Sequence, residues 1–364
     1  MKVAIVHDWL VTNAGAEKVL KEIVSLYPDA DIFSLVDFLS ETERAEIIAG
    51  KPVRTSFIQH LPLAQKHFRN YLPLFPKAIE SLNFDAYDLV LSSSWAVAKG
   101  VKKREDAVHI CYSHTPIRYA WDLYDEYTSN LSQPKKFLVE KSLQYIRKWD
   151  LETVSRVDHF LANSAFVQER IERTYGREAT VIYPPVDIEK FTLREEKEDF
   201  YLTASRLVPY KKTKLIVEAF NDMPSKKLVV IGSGEEYEAI KSIANENIEV
   251  LGYQEDAILL EYMQKARAFV YAAVEDFGIV PVEAMACGTP VVALGIGGTK
   301  ESVSESVSGV HFQEQTKESI IQAIEKFESI QFDAKDIAAY AQKFSKKKFQ
   351  QKFYNFVLSK TKSL

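Results

Sequence analysis

Short apolar runs, each followed by a stretch with helical periodicity, recur along the chain: "VAIV" at residue 3, "DLVLSSS" at 88, "VHICYSH" at 108, "DHFLANS" at 158, "DFYLTAS" at 199, "KLVVIGSG" at 227, "IEVLGY" at 248, "AFVYAA" at 268 and "PVVAL" at 290. Strands that are apolar throughout must be covered on both faces, which is the condition of a parallel sheet. Stretches such as "AGAEKVLKEIVSLY" and "TKLIVEAFNDM" supply the covering helices, and the alternation predicts an α/β fold. With 364 residues the chain is long for one such unit, and it breaks at "VIYPPVDIEKFTLREEKEDF", where Pro184 and Pro185 precede a charged stretch. The expectation is two Rossmann-like, doubly wound domains, residues 1–187 and 188–345, facing each other across a cleft. The last stretch, "FSKKKFQQKFYNFVLSK", sets Phe344, Phe349, Phe353 and Phe356 at roughly helical spacing, and residues 346–364 are expected to form a helix that crosses back to the first domain. Ligands of such folds bind at the carboxyl ends of the strands.

The residues that could carry chemistry fall at those ends. In "FVYAAVEDFGIVPVEAMACG" a strand runs into a loop, Gly278 turns the chain, and a helix is expected from about Ile279 to Ala286. The start of that helix offers free N–H groups and a positive dipole end, which suit a phosphate. Glu283, within the helix, is placed to accept hydrogen bonds from a ribose diol, and Glu275, in the loop, to reach the group beyond the phosphates. The plainer reading of these glutamates is a solvated helix face, but Val282, Ala284 and Met285 flank Glu283. In "SRLVPYKK", Arg206 follows a strand end and Lys211 and Lys212 follow a turn at Pro209. A guanidinium and an ammonium on one loop can neutralise a diphosphate without a metal. "VVIGSGEE" closes a strand with Gly232 and Gly234, a weak signal, because any tight turn favours glycine. In "YSHTPIRYAWD", His114 directly follows a strand, with Arg118, Tyr119, Trp121 and Asp122 close behind.

Composition narrows the class. A formal charge of −5 argues against a nucleic-acid-binding protein. Two distant cysteines, Cys111 and Cys287, with no CxxC pair, fit a reducing compartment and buried apolar packing. The histidines show no metal-ligand spacing, and there is neither HExxH nor an acidic DxD triplet, so no bound metal is required. "MKVAIVHDWL" has too short an apolar stretch for a signal-peptide core, and no run is long enough to span a bilayer, which predicts a cytoplasmic protein. From Lys51 to Ile79 there is no acid, while Lys51, Arg54, Lys66, Arg69 and Lys77 alternate with Phe57, Phe68, Tyr71, Leu72 and Phe75. That mixture suits an anionic membrane surface or a lipid-phosphate acceptor, a solvated basic face being the alternative.

With these motifs in place, nearly the whole chain resembles the retaining glycosyltransferases of GT-B fold that include bacterial polysaccharide and lipid mannosyltransferases. The most specific element is the E-x7-E pair, Glu275 and Glu283, followed by "AMACGTPVVA" and "GGTKE". "SRLVPYKK", "YPPVD" and "LANSAFV" are similar to the same family. "HTPIRYAWDLYDEY" resembles a subset that builds surface polysaccharides, often from GDP-mannose.

The resemblance implies an acceptor-binding first domain and a second domain that binds a nucleotide sugar. Glu283 is then expected to hold the donor ribose and Glu275 the donor sugar. The backbone of Asp276, Phe277, Gly278 and Ile279 is expected to bind sugar hydroxyls and phosphate. Arg206 and Lys211, or Lys212 in its place, are expected to clamp the diphosphate, and His114 to contact the sugar near its reacting carbon. Gly15, Gly232, Gly234 and Tyr253 complete the expected donor contacts. Lys51, Arg54, Lys66, Arg69 and Arg118 are weaker candidates for the acceptor or membrane surface. One departure is Ala14 beside Gly15, where the family has a glycine pair. The implied activity is transfer of mannose from GDP-mannose to a polyprenyl-linked or oligosaccharide acceptor in lipopolysaccharide or related synthesis, with no metal or other cofactor. A UDP-sugar-dependent hexosyl or N-acetylhexosaminyl transferase and a non-catalytic nucleotide-sugar-binding subunit are the alternatives. A dinucleotide-dependent oxidoreductase is disfavoured because "HDWLVTNAGAEKV" lacks GxGxxG after the first strand.

Overall fold

The computed structural model describes residues 1–121 and 133–362. Asp122 and the remainder of "HTPIRYAWDLYDEY" lie outside the described residues. The chain divides into two compact units, one formed by Met1–Tyr183 with Phe349–Leu364 and the other by Pro184–Lys348.

The first unit contains β1 (Val3–His7), β2 (Asp31–Ser34), β3 (Val53–Thr55), β4 (Leu89–Ser94), β5 (Val108–Ser113), β6 (His159–Ala162) and β7 (Ala179–Val181), in the sheet order β3-β2-β1-β4-β5-β6-β7. Every pairing is parallel. β4 is buried at all six positions, which explains why its sequence carries no polar alternation. The chain leaves β1 toward one edge and returns through β4 to the other, so the crevice where the order reverses opens beyond the carboxyl ends of β1 and β4.

The helix Lys346–Lys360 places Phe349, Phe353 and Val357 in the core of this first unit, with Ile5, Leu89, Ile110 and Leu161. Phe356 packs against the same core partly buried, whereas Phe344 precedes the helix, in the second unit.

The second unit contains β8 (Tyr201–Ala204), β9 (Leu228–Ile231), β10 (Ile248–Gly252), β11 (Ala268–Tyr271), β12 (Val291–Leu294) and β13 (Gly309–Phe312), ordered β10-β9-β8-β11-β12-β13 and again all parallel. Here the order reverses between β8 and β11. The loops that leave these two strands are "SRLVPYKK" and "AAVEDFG". Both units are therefore doubly wound, as the alternation of apolar runs and helices predicts. The four strands that the apolar runs do not reveal, β2, β3, β7 and β13, have only three or four residues each, and three of them form sheet edges.

Candidate active site

In the second unit the reversal between β8 and β11 brings two of the candidate residues, Lys211 and Glu275, together. The Lys211 ammonium pairs with the Glu275 carboxylate and donates to the Tyr271 hydroxyl at 3.1 Å. Tyr271 in turn donates to Glu275 Oε1 at 3.2 Å. Burial, reinforced by the Glu275 charge, pushes the Tyr271 phenol well above its usual pKa, so it keeps its proton and orients the carboxylate. Arg206 is exposed at the end of β8, and its guanidinium donates to the Tyr210 hydroxyl at 3.3 Å. Lys212 is the residue the fold sets apart: it adopts a left-handed conformation with φ +57° at the start of the helix Thr213–Asn221 and is exposed. Of the two lysines, Lys211 is the one beside Glu275.

The loops are held by close main-chain contacts that require glycine. At Gly298 a Cβ would lie 2.2 Å from Phe277 Cα, and at Gly297, with φ +78°, 2.4 Å from the Glu275 carbonyl oxygen. The Gly298 amide donates to that same carbonyl at 2.8 Å, so "GIGGTK" fixes the height of the Glu275 loop. Gly278 (φ +84°) then starts the helix Ile279–Ala286, on which Glu283 is buried. Phe277 is buried as well, and Asp276 half-buried.

Gly232 and Gly234 let two loops pack main chain to main chain. A Cβ on Gly232 would fall 1.8 Å from the Ser205 carbonyl, and one on Gly234 2.2 Å from the Leu207 carbonyl. They press the β9 loop against the loop of Arg206, where the Leu207 amide donates to the Ser233 carbonyl at 2.8 Å. Tyr253, just past β10, is 72% exposed.

In the first unit His114 follows β5, half-buried, with its amide bonded to the Ser94 carbonyl at 2.8 Å and its Nε2 at 2.8 Å from Ser93 Oγ. Burial, with the neighbouring His7 second, lowers its pKa to about 3, so the ring is neutral at pH 7. Next to it lies a feature that the motifs did not single out. The buried Asp8 carboxylate accepts four successive backbone amides, from Trp95 (2.6 Å), Ala96 (2.9 Å), Val97 (2.6 Å) and Ala98 (2.6 Å). The clamp holds the turn after β4 and aims the Trp95 ring, whose centroid lies 4.8 Å from His7 and 5.7 Å from His114. Its sequence signal was an Asp directly after an apolar strand, in "VAIVHDW". Gly15 begins the helix Gly15–Leu26, and Arg118 is half-buried four residues after His114.

The basic stretch is not one face. Lys51 donates to the carbonyls of Pro28 and Ala30, and Arg54 lies over the Phe33 ring and bonds the Tyr87 hydroxyl at 3.1 Å, so both are engaged at β2 and β3. Lys66, Arg69 and Lys77 are exposed on the short helical turns of residues 64–80, near Leu63 (71% exposed) and Leu74 (39%). Among the described residues no helix is long and apolar enough to cross a membrane, and no group of three His, Cys, Asp or Glu side chains is placed to hold a metal ion.

Two family models account for this arrangement in sequence: Glycosyltransferase Family 4 matches residues 15–190, and Glycosyl transferases group 1 matches residues 186–344. The chain belongs to the GT-B glycosyltransferases. It is similar over its full length to the crystal structure of Anabaena HepE in complex with UDP, with a TM-score of 0.71 at 20% identity and 99% and 100% of the two chains covered. An uncharacterized glycosyltransferase of Methanocaldococcus jannaschii is 28% identical over 199 residues, 52% of this chain and 55% of that protein. A GDP-mannose-dependent monoacylated alpha-(1-6)-phosphatidylinositol monomannoside mannosyltransferase of Corynebacterium glutamicum is 29% identical over 194 residues, 45% of this chain and 50% of the relative. The chain thus spans about half the length of the curated relatives it matches.

Proposed function

We propose that this GT-B chain transfers a sugar from a nucleoside-diphosphate donor to a lipid-linked or oligosaccharide acceptor, with retention of configuration and without a metal. The observation that carries the reading is the cluster of Lys211, Glu275 and Tyr271 at the carboxyl ends of β8 and β11, with Arg206 on the same loop as Lys211 and bonded to Tyr210. A cation and an anion side by side match the junction of a sugar diphosphate, which offers phosphate oxygens on one side and sugar hydroxyls on the other. Lys211 and Arg206 take the diphosphate, Glu275 accepts hydrogen bonds from the sugar, and the buried Glu283 holds the ribose.

In the reaction the bond between the anomeric carbon and the phosphate oxygen breaks, and its electron pair goes to the leaving diphosphate. The acceptor hydroxyl bonds the same carbon from the same face, and its proton passes to the departing phosphate oxygen. No side-chain nucleophile is involved. Fixed positive groups that hold the developing charge lower the barrier, and Arg206, Lys211 and the start of the helix Ile279–Ala286 supply them. Before that, the diphosphate must draw Lys211 away from its partner Glu275.

GDP-mannose is the donor favoured by the Corynebacterium relative's name and by "HTPIRYAWDLYDEY". A UDP-hexose is the second reading, favoured by the complexes of HepE with UDP and UDP-glucose. The acceptor belongs to bacterial surface polysaccharide or lipopolysaccharide synthesis. The exposed Lys66, Arg69, Lys77, Leu63 and Leu74 rest on the anionic inner face of the plasma membrane, where a polyprenyl-linked acceptor is presented. The test is thermal stabilisation by GDP, UDP, ADP and dTDP with and without EDTA, followed by transfer from the matching labelled nucleotide sugar. A GDP shift that survives EDTA, with transfer lost in Arg206→Ala and Glu275→Gln, is the expected result. No shift with any of the four overturns the reading.

A further inference from the structure

Four side chains at the carboxyl ends of β1, β4 and β5 form a line that the transfer reaction described above does not use. Glu17 Oε1 faces His7 Nε2 at 3.6 Å, both side chains being almost wholly buried. His7 Nδ1 lies 3.1 Å from Ser93 Oγ, and Ser93 Oγ lies 2.8 Å from His114 Nε2. We propose that Glu17, His7 and Ser93 are positioning residues that fix the proton of His114 on Nε2 and so present its Nδ1 as a hydrogen-bond acceptor to a sugar hydroxyl. The role rests on the proposed sugar transfer, with His114 meeting a sugar hydroxyl.

The direction of the chain follows from one end. We take the His7 ring to carry a single proton, on the Nε2 that faces Glu17, because a carboxylate only accepts and the other tautomer would set a lone pair against the carboxylate oxygen. His7 Nδ1 is then bare and accepts the single Ser93 hydroxyl proton. Having donated it, Ser93 Oγ can only accept, and the donor facing it must be His114 Nε2–H. The lone pair at His114 Nδ1 makes no hydrogen bond among the described residues. Ring packing holds the planes in place: Trp95 meets His7 and His114 edge-on, and Tyr112 meets His114 with centroids 5.2 Å apart. Were the first link reversed, with a donor in place of Glu17, each hydrogen bond would turn round and His114 would offer N–H instead of a lone pair.

The competing explanation is local. Glu17 Oε2 accepts the Ala14 amide at 3.0 Å and so caps the helix Gly15–Leu26 whatever His7 does. Glu17→Gln separates the two roles, because the amide oxygen still caps the helix while its NH2 group can donate to His7. The experiment uses the full chain labelled with 15N-histidine, the His114 signals being assigned by their loss in His114→Gln. The parent is expected to show His114 protonated on Nε2. In Glu17→Gln and Ser93→Ala its two nitrogens should move toward a mixture of tautomers. In the same variants, transfer kcat should fall roughly 10- to 100-fold while the donor KM changes by less than about twofold.

A parent His114 protonated on Nδ1, or one that stays on Nε2 in both variants, overturns the proposal. If one variant fails to fold, the other variant and the parent spectrum still decide it. The spectra need no substrate, so an intact relay in a chain without transferase activity overturns the proposed function and leaves the relay standing.

Discussion

Asp8→Asn isolates the amide clamp of the first unit with almost no change of volume. Each carboxylate oxygen of Asp8 accepts two amides, Oδ2 those of Trp95 and Ala96 and Oδ1 those of Val97 and Ala98. Whichever way an asparagine amide turns, its NH2 group confronts two buried N–H donors. At about 1–3 kcal/mol for each buried donor left unsatisfied, the loss is about 2–6 kcal/mol. Burial already opposes the Asp8 charge and raises its pKa, so removing the charge returns part of that loss. The net expectation is a destabilisation of about 2–4 kcal/mol. Trp9, Trp95, Trp121 and Trp149 are the only tryptophans and all fall within residues 1–183, so tryptophan fluorescence reports the first unit alone. With a urea slope of about 2–3 kcal/mol per M, the fluorescence midpoint should drop by roughly 1 M. A midpoint within about 0.2 M of the parent, at an unchanged slope, would refute the reasoning, because four short hydrogen bonds cannot be halved without loss in a closed site.

His109 is buried with its ring between Ser92 Oγ and the Arg156 carbonyl, and burial lowers its pKa to about 4. The unfolded chain therefore binds the extra proton first as pH falls below about 6.5, and this residue should remove about 2 kcal/mol of stability between pH 7 and pH 5. Urea midpoints measured across that range check the slope, and a first unit equally stable at both values contradicts it. Lys211→Ala should weaken nucleoside-diphosphate binding roughly 10- to 100-fold by calorimetry, the worth of one charge-assisted hydrogen bond to phosphate, and unchanged affinity would remove Lys211 from the site. Gly298→Ala forces a Cβ onto the Phe277 main chain and should cost about 1–3 kcal/mol as well as most of the transfer rate, read by melting and by initial velocities. Phe353→Ala, in the core of the first unit, should cost about 3–5 kcal/mol in the same tryptophan-monitored unfolding and leave the second unit's melting unchanged.

Interior strands were legible where burial on both faces writes an unbroken apolar run into the sequence; β2, four residues opening on Asp31, is the interior strand that was not. β3, β7 and β13 escaped because an edge strand of three or four residues leaves too little pattern to separate from a loop. The helix Ile279–Ala286 was legible to the residue from its strand, its glycine and its two glutamates. The partners of Lys211 were not: that Tyr271 completes the cluster depends on how the order of β8 and β11 brings separate loops together, and no spacing records that. The same holds for His7 and Ser93, which lie 86 residues apart and meet only because β1 and β4 are neighbours. The packing that Gly232 and Gly234 permit against the Ser205 and Leu207 carbonyls was not legible, since a sequence shows that a Cβ is missing and not what occupies its place.

The helix Lys346–Lys360 makes the first unit discontinuous along the chain, and this sets an order in time. As the polypeptide leaves the ribosome, all six strands of the second unit emerge before Phe349, Phe353 and Val357 exist to complete the first unit's core. The half synthesised first is thus finished last. Until then the face of Tyr112 that Phe349 and Phe353 meet in the finished unit stays uncovered, and a nascent chain halted near residue 345 presents that surface to chaperones while its second unit is already complete in sequence.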